Sequence, residues 1–467
     1  MTDVAGSRPG ATAASAAPPS REPVGELRRS FGLRGLAAVG GLLATFLTTV
    51  IAVRSLDPRE AVTLLAVLAA LMLGPMVGRL GLGQNVLRTL SAQTEPAVAR
   101  RLAGAHLRTA TASTAISAPL VAAAATAGLF GTPQFVPVLV LTALLVVLES
   151  VRLMLSDVFA ANGMVRSAVA TTHHVRSVVV LPGLVACAFL MARPTLIAML
   201  VVYVVIAALL IVAVAAPARR CVSLSGRGMP GTTVRAVLAA GIALLTVDVA
   251  LFVVGRGDVW LAAAVFDATD AAHYSTASTL AFQVCVVDGL ASLAMTPIAA
   301  RMWAGGQRPE LLRLLSAVST LSAAATAVAV LGLVVLGNPV LGVAYGAGFT
   351  AAYPVLVLLG LGGLVKVSFG MNVTLLIAMG RLRSAAAVAL LVLAVTVPIA
   401  VLGAVLFGTA GLAAGTAVAA VALPVGQWLL ARRALADVPG AVAPRAHLDV
   451  RRAWQEVRAA KPGPAAG

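Results

Sequence analysis

Apolar residues run through this chain of 467 in stretches of twenty or more, separated by short polar segments and without period-two alternation. Crossing the hydrocarbon core of a bilayer takes about 20 residues of helix. Within lipid every backbone N–H and C=O must be paired inside the protein, which leaves helices or a closed barrel. Barrel strands alternate apolar and polar positions, so this pattern predicts helices. Twelve spans are expected, at roughly 33–53, 61–80, 109–130, 135–157, 168–191, 195–217, 237–266, 272–300, 314–337, 353–378, 385–407 and 411–431.

Composition agrees. Sixty per cent of the residues are hydrophobic and 11 % charged, with a mean hydropathy of +1.00. A soluble domain of this length would need far more charge on its surface. The net charge of +17 would point to nucleic acid in a soluble protein. Here the charges sit in short loops between spans, too short to build a basic domain, so no nucleic-acid partner is expected. Arginine outnumbers lysine 32 to 2, and alanine and glycine abound, the mark of a high-GC bacterial genome.

The arginines alternate in location. They follow even-numbered spans: Arg79, Arg88, Arg100, Arg101 and Arg108; Arg166; Arg219, Arg220, Arg227 and Arg235; Arg301, Arg308 and Arg313; Arg381 and Arg383; Arg432 and Arg433. The opposite loops carry only Arg54, Arg59 and Arg193. By the positive-inside rule the even-numbered loops and both termini are cytoplasmic. Residues 1–30 then form a disordered cytoplasmic tail, 31–220 a first six-helix lobe, 221–235 a linker, 236–435 a second lobe and 436–467 a cytoplasmic tail. No cleavable signal peptide is seen, and Arg28-Arg29 reads as a positive flank of the first span. His447–Val457 is either a short interfacial helix inserting Leu448, Trp454 and Val457, or disordered.

Two segments repeat the pattern A-x-G-x-x-R-S-A: Ala161–Ala168, after span 4, and Ala378–Ala385, after span 10. Spans 6 and 12 also both end in Ala-Arg-Arg. Two six-span halves of equal orientation are related by an axis along the membrane normal, and transporters commonly place the substrate between such halves.

An ionisable side chain at a helix centre costs about 2.5–3.5 kcal/mol on insertion scales, so those at depth are the candidates for chemistry. They are Glu149 and Arg152 in span 4; His173, His174 and Arg176 in span 5; Asp248, Arg256 and Asp258 in span 7; Asp288 in span 8; and Lys366 in span 10. They define either a polar pathway or pairing between helices, with Arg152 and the histidines close enough to the span ends to snorkel. Glu149 and Lys366 are 217 positions apart, as are Gly163 and Gly380, so they are repeat equivalents of opposite charge. If they pair, exchanging the two charges should recover more function than either single change.

Enzymatic signatures are missing. There is no Walker A sequence, H-E-x-x-H or G-x-S-x-G, and Gly78–Gly83 lacks the strand a dinucleotide fold requires. Neither an enzyme nor a cofactor is expected. Cys187, Cys221 and Cys285 have no metal-ligand spacing and no disulfide framework. Tyr345, Phe349 and Tyr353 fit an aromatic belt at the outer interface.

Several segments together resemble the polysaccharide-biosynthesis flippases. Arg54-Ser55-Leu56-Asp57-Pro58-Arg59-Glu60 matches the "R-x-L-x-P-x-E" turn between their first two spans, and Leu80-Gly81-Leu82 the end of the second. Arg256-Gly257-Asp258-Val259-Trp260-Leu261, then Tyr274-Ser275-Thr276-Ala277, resembles their seventh span and the "Y-x-x-A" start of the eighth. Pro297 and Tyr345-Gly346 also fit, and the likeness covers most of residues 30–435. His273 stands where the family has glycine.

The resemblance implies membership of the multidrug/oligosaccharidyl-lipid/polysaccharide exporter superfamily. That means an all-α membrane protein of about twelve helices, in two six-helix MATE-like lobes around a central cavity. It implies a flippase moving a polyprenyl-diphosphate-linked saccharide to the outer leaflet of the bacterial plasma membrane by alternating access. A diphosphate headgroup needs cationic donors in a wet cavity, for which Arg176, Arg256 and Lys366 are the candidates. Glu149, Asp248, Asp258 and Asp288 would orient those cations or bind a coupling ion, H⁺ or Na⁺; Asp258 matches the family's aspartate in span 7. The expected partners are the lipid-linked saccharide, membrane lipid and that ion. An ion-coupled small-molecule antiporter of the same superfamily is the alternative. A polysaccharide polymerase or ligase would need a large outer loop, which is absent.

Overall fold

The computed structural model describes residues 23–91, 93, 95–224, 231–435, 451 and 455. The tail stretch His447–Val457 therefore lies outside the described residues, apart from two isolated positions. Every regular element among the described residues is helical.

The first lobe comprises α1 (Pro23–Ser55), α2 (Pro58–Arg79), α3 (Leu82–Ser91), α4 (Pro96–Thr126), α5 (Phe135–Ala161), α6 (Val165–Ala170), α7 (His173–Leu190), α8 (Leu196–Ala213) and α9 (Ala215–Cys221). The second comprises α10 (Gly231–Val265), α11 (Ala268–Gln283), α12 (Val286–Ala304), α13 (Arg308–Tyr345), α14 (Tyr353–Ser368), α15 (Asn372–Ala378) and α16 (Leu382–Ala434). Proline in the first turn, where its missing N–H costs nothing, opens α2, α4, α13 and α14. Asp267 caps α11 by accepting from the backbone N–H of Thr269 and Asp270, at 2.8 and 2.9 Å.

Among the described residues, nine helices are long and apolar enough to cross a bilayer, and the pair α11–α12, bent by 46°, makes a tenth span. α16 holds two spans, because its backbone leaves the helical region at Gly408 (φ 62°, ψ −144°). Its two arms meet so closely that a Cβ on Gly403 would stand 2.6 Å from the carbonyl oxygen of Gly411. α10 is long enough to be the remaining span but carries Asp248, Arg256 and Asp258. Together these make the twelve spans expected.

Boundaries differ from expectation where charge was taken for a loop. α4 begins at Pro96 rather than near 109, so Arg100, Arg101 and Arg108 stand on the helix rather than in a loop. α1 begins at Pro23, inside the segment expected to be disordered. Span 5 is broken at Thr171–Thr172 into α6 and α7, and span 10 at Phe369–Met371 into α14 and α15. α13 continues to Tyr345. That tyrosine is 5 % exposed, so it belongs to the core rather than to an outer aromatic belt.

Within the first lobe α2 packs on α4 and α5, α1 on α7, and α5 on α8. Within the second, α10 and α14 pack on α16, and α12 and α14 on α13. The lobes meet where α2 lies against α10 and α11, and where α1 touches α11 and α13. Leu390, Leu391, Leu402 and Val405 of α16 are more than half exposed, as a face toward lipid requires.

The A-x-G-x-x-R-S-A repeat is one structure built twice. The Met164 N–H donates to Phe159 O and that of Gly163 to Ala160 O (2.9 and 3.1 Å); the Arg381 N–H donates to Leu376 O and that of Gly380 to Ile377 O (2.9 and 3.0 Å). These are the crossed bonds of a helix C-terminal cap. The glycines sit at φ +71° and +70°, with open space where a Cβ would go. Gly163→Ala or Gly380→Ala should therefore cost about 1 kcal/mol each through backbone conformation alone. Thermal unfolding in detergent should show the loss, and two equal decreases would confirm the equivalence of the caps.

Candidate functional site

Two groups of ionisable side chains lie buried, one in each lobe. In the first lobe α5 places Glu149 and Arg152 one turn apart, and the opening turn of α7 brings in Arg176. These residues are 1 %, 0 % and 6 % exposed. Arg152 grips both carboxylate oxygens of Glu149 in a bidentate pair, its Nε at 3.0 Å from Oε2. Its remaining terminal nitrogen donates to the carbonyl of Thr171, in the break between α6 and α7 where that group lies outside regular helix. Arg176 Nη1 stands 3.1 Å from Glu149 Oε1, and its guanidinium lies 5.9 Å from the Tyr203 ring centroid. Its Nε has no hydrogen-bond acceptor among the described residues. One carboxylate facing two guanidiniums leaves this cluster with an excess positive charge.

The expectation that Arg152 snorkels is corrected. α5 continues to Ala161, well past the arginine, and surrounds the guanidinium with protein.

In the second lobe Asp258 of α10 is 6 % exposed and accepts three hydrogen bonds. They come from Ser278 Oγ at 2.6 Å, Tyr274 Oη at 3.0 Å and the Val259 N–H at 2.9 Å. Tyr274 Oη is also 3.3 Å from Thr416 Oγ1 on α16. Carboxylate, phenol and two hydroxyls thus converge from three helices. Arg256 turns to another face of α10, where Nη1 donates to Thr279 Oγ1 at 3.3 Å and the guanidinium covers the Phe282 ring at 5.1 Å. Tyr274 and Ser278 were missed as partners of Asp258. Their signal is the spacing Tyr274-x-x-x-Ser278, which puts both hydroxyls on one helix face.

An open cavity with about 440 Å³ of empty space, its mouth included, is bounded by Asp258, Ser278, Cys285, Lys366 and Thr416. Asp258 and Thr416 also border a more apolar cavity between α10 and α16. Asp288, on the first turn of α12, lies within electrostatic reach of Lys366. Asp248 stands apart, half-buried toward the arginine-rich end of α10 and within electrostatic reach of Arg79. Arg79 itself pairs with Asp157 at 2.8 Å.

The structure therefore places Asp258 and Lys366 on one cavity of the second lobe, with Asp288 near Lys366 but not on the cavity lining, and holds Glu149 with Arg176 in the first. The oxygens of Glu149 are taken by arginines of its own lobe rather than by Lys366. Exchanging the two charges is accordingly not expected to restore function, since Glu149→Lys would set a third cation beside Arg152 and Arg176. No group of three or more His, Cys, Asp or Glu side chains among the described residues is arranged to hold a metal ion.

No family model and no curated protein matches the sequence. Solved structures do match. A mutant form of the Vibrio cholerae MATE transporter VcmN is 16 % identical, with a TM-score of 0.63 over 89 % of this chain and 98 % of that one. The lipid II flippase MurJ in an inward closed conformation is 11 % identical, with a TM-score of 0.62 over 92 % and 90 %. An inward-facing multidrug resistance MATE transporter of the MOP superfamily is 13 % identical, with a TM-score of 0.61 over 85 % and 98 %. These identities establish architecture alone: the chain is a multi-pass membrane protein with the two-lobe fold shared by MATE transporters and the flippase MurJ.

Proposed function

We propose that the protein is a flippase that carries the headgroup of a lipid-linked saccharide from the cytoplasmic to the outer leaflet of the bacterial plasma membrane. The observation that supports this reading is the placement of three cations, Arg176, Arg256 and Lys366, inside a two-lobe exporter fold. Arg176 shares the Glu149 carboxylate with Arg152, Arg256 is buried against a hydroxyl and a ring, and Lys366 borders an open cavity. Charge of this sign inside a membrane protein suits a diphosphate, which cannot enter lipid bare. Asp258, with Tyr274, Ser278 and Thr416 around it, supplies all-oxygen partners for a proton or Na⁺ and is the proposed coupling group, as in the antiporter alternative. Asp248 and Asp288 serve to orient Arg79 and Lys366.

Deleting the gene should raise the pool of radiolabelled lipid-linked saccharide while the matching surface polymer falls. In liposomes the purified protein should expose such a lipid to an enzyme outside. An unchanged glycan and lipid pool, with new sensitivity to cationic drugs, would favour the antiporter.

The orientation rests on the arginine asymmetry. With the native cysteines replaced, single cysteines at Thr132 and Thr350 should react with an impermeant thiol reagent from outside intact cells. Cysteines at Gln307 and Arg383 should react only after permeabilisation, and labelling of Gln307→Cys in intact cells would reverse the assignment.

A further inference from the structure

The turn Arg54–Glu60 was singled out by its pattern, and the buried clusters leave it without a role. It joins α1 to α2 on the arginine-poor side, where its two charged ends reach in different directions. Glu60 is 9 % exposed and turns into its own lobe, where Oε2 accepts from the Leu196 N–H at the start of α8 (3.2 Å). Arg54 crosses to the other lobe. Its Nε donates to the carbonyl of Ala344 at 2.6 Å and its Nη2 to that of Val343 at 2.5 Å. Both carbonyls belong to the final turn of α13, where a helix has orphan acceptors and the negative end of its dipole. A guanidinium fork satisfies two of them at once.

Directly behind this contact, Thr49 Oγ1 meets Tyr345 Oη at 2.8 Å, again between lobes. Phe46 packs edge-on against the Tyr345 ring at 6.0 Å, and Phe349 lies 5.8 Å beyond. His273, the residue standing in place of glycine, closes the row edge-on to Phe349 at 4.6 Å. Trp260 adds a cross-lobe bond from Nε1 to Ala66 O at 2.9 Å, in the arginine-poor halves of α2 and α10.

We propose that Arg54 is the latch of an outer seal between the lobes: Glu60 anchors the turn to the first lobe, and Arg54 holds the C-terminus of α13 from the second. The turn is then a closing device, with the Phe46–Tyr345–Phe349–His273 row as the plug behind it. Opening toward the arginine-poor side requires Arg54 to leave two carbonyls that water can take over, so the latch is releasable. This rests on reading the lobes as bodies that move against each other, but not on which solute they carry.

The test needs no substrate. In the full chain with native cysteines replaced, spin labels at Pro133→Cys in the first lobe and Ala410→Cys in the second report the width of the outer mouth. In reconstituted protein carrying Arg54→Gln, the long-distance population should rise about tenfold relative to the short one, as loss of one net charge-assisted hydrogen bond implies. Arg54→Lys keeps the charge but not the fork and should fall between. A distribution unchanged from native in whichever variant folds overturns the latch. Failure of both to fold overturns it too, by making the contact a requirement of the fold. If the latch fails while lipid-linked saccharide is still exposed in liposomes, the flippase reading stands without it.

Discussion

Glu149→Ala is expected to destabilise the protein by about 3–5 kcal/mol, the range for breaking a buried ion pair from one side. The substitution leaves Arg152 and Arg176 facing each other without their shared counter-charge, in protein that excludes water. Thermal or denaturant unfolding of the purified protein in detergent measures the loss. Glu149→Gln should lose less, because its amide oxygen still accepts from Arg152. Arg152→Ala should also lose less than Glu149→Ala, since it leaves one carboxylate and one guanidinium 3.1 Å apart. Equal losses for Glu149→Ala and Arg152→Ala would show that the excess positive charge is not what sets the energetics. Because the three side chains form one network, the double change Glu149→Ala with Arg152→Ala should cost clearly less than the two single losses added.

The second large effect belongs to Asp258. Asp258→Asn keeps an oxygen for Ser278 and Tyr274 but removes the charge, so unfolding should shift little. Transport driven by an ion gradient should nevertheless fall on the order of tenfold or more, a loss of about 1.4 kcal/mol or greater in the driven step. Asp258→Leu strands the Ser278 hydroxyl at about 1–3 kcal/mol, leaves Tyr274 with Thr416 at 3.3 Å, and should lower stability as well as transport. The split between stability and transport is the diagnostic: normal ion-driven transport by a folded Asp258→Asn variant would remove the coupling role and leave a structural one. Tyr274→Phe provides a milder check, since it deletes one donor to Asp258 and leaves the carboxylate charged.

Much of the architecture was legible because the bilayer imposes simple requirements on sequence. Length and hydropathy alone placed the twelve spans, since lipid demands internally bonded helices of a set length. The repeat was equally legible, because a left-handed cap requires glycine at Gly163 and Gly380 and the same bonds re-form around each. Span ends were less so. Hydropathy marks apolar stretches, whereas helix continues into polar sequence wherever its backbone bonds are kept: α4 starts early enough to carry Arg100, Arg101 and Arg108, and α13 runs on to bury Tyr345.

The sequence marked which ionisable residues fall within apolar spans but not how far each is buried: Arg152 is fully buried, whereas Asp288 and Lys366 are half-buried. Their partners were decided by tertiary structure. Repeat symmetry relates Glu149 to Lys366, but symmetry equates positions across an axis without bringing them into contact. The break at Thr171–Thr172 turns α7 so that Arg176 and the Thr171 carbonyl meet the Glu149–Arg152 pair. The packing of α11 and α16 on α10 gathers hydroxyls around Asp258. Likewise the R-x-L-x-P-x-E turn was visible as a pattern, while its reach from α8 to α13 depends on how two lobes, distant in sequence, close on each other. Hydrophobic patterning is a property of single helices and can be read along the chain. Charge pairing depends on the rotation and depth of neighbouring helices, and those are set only when the helices pack.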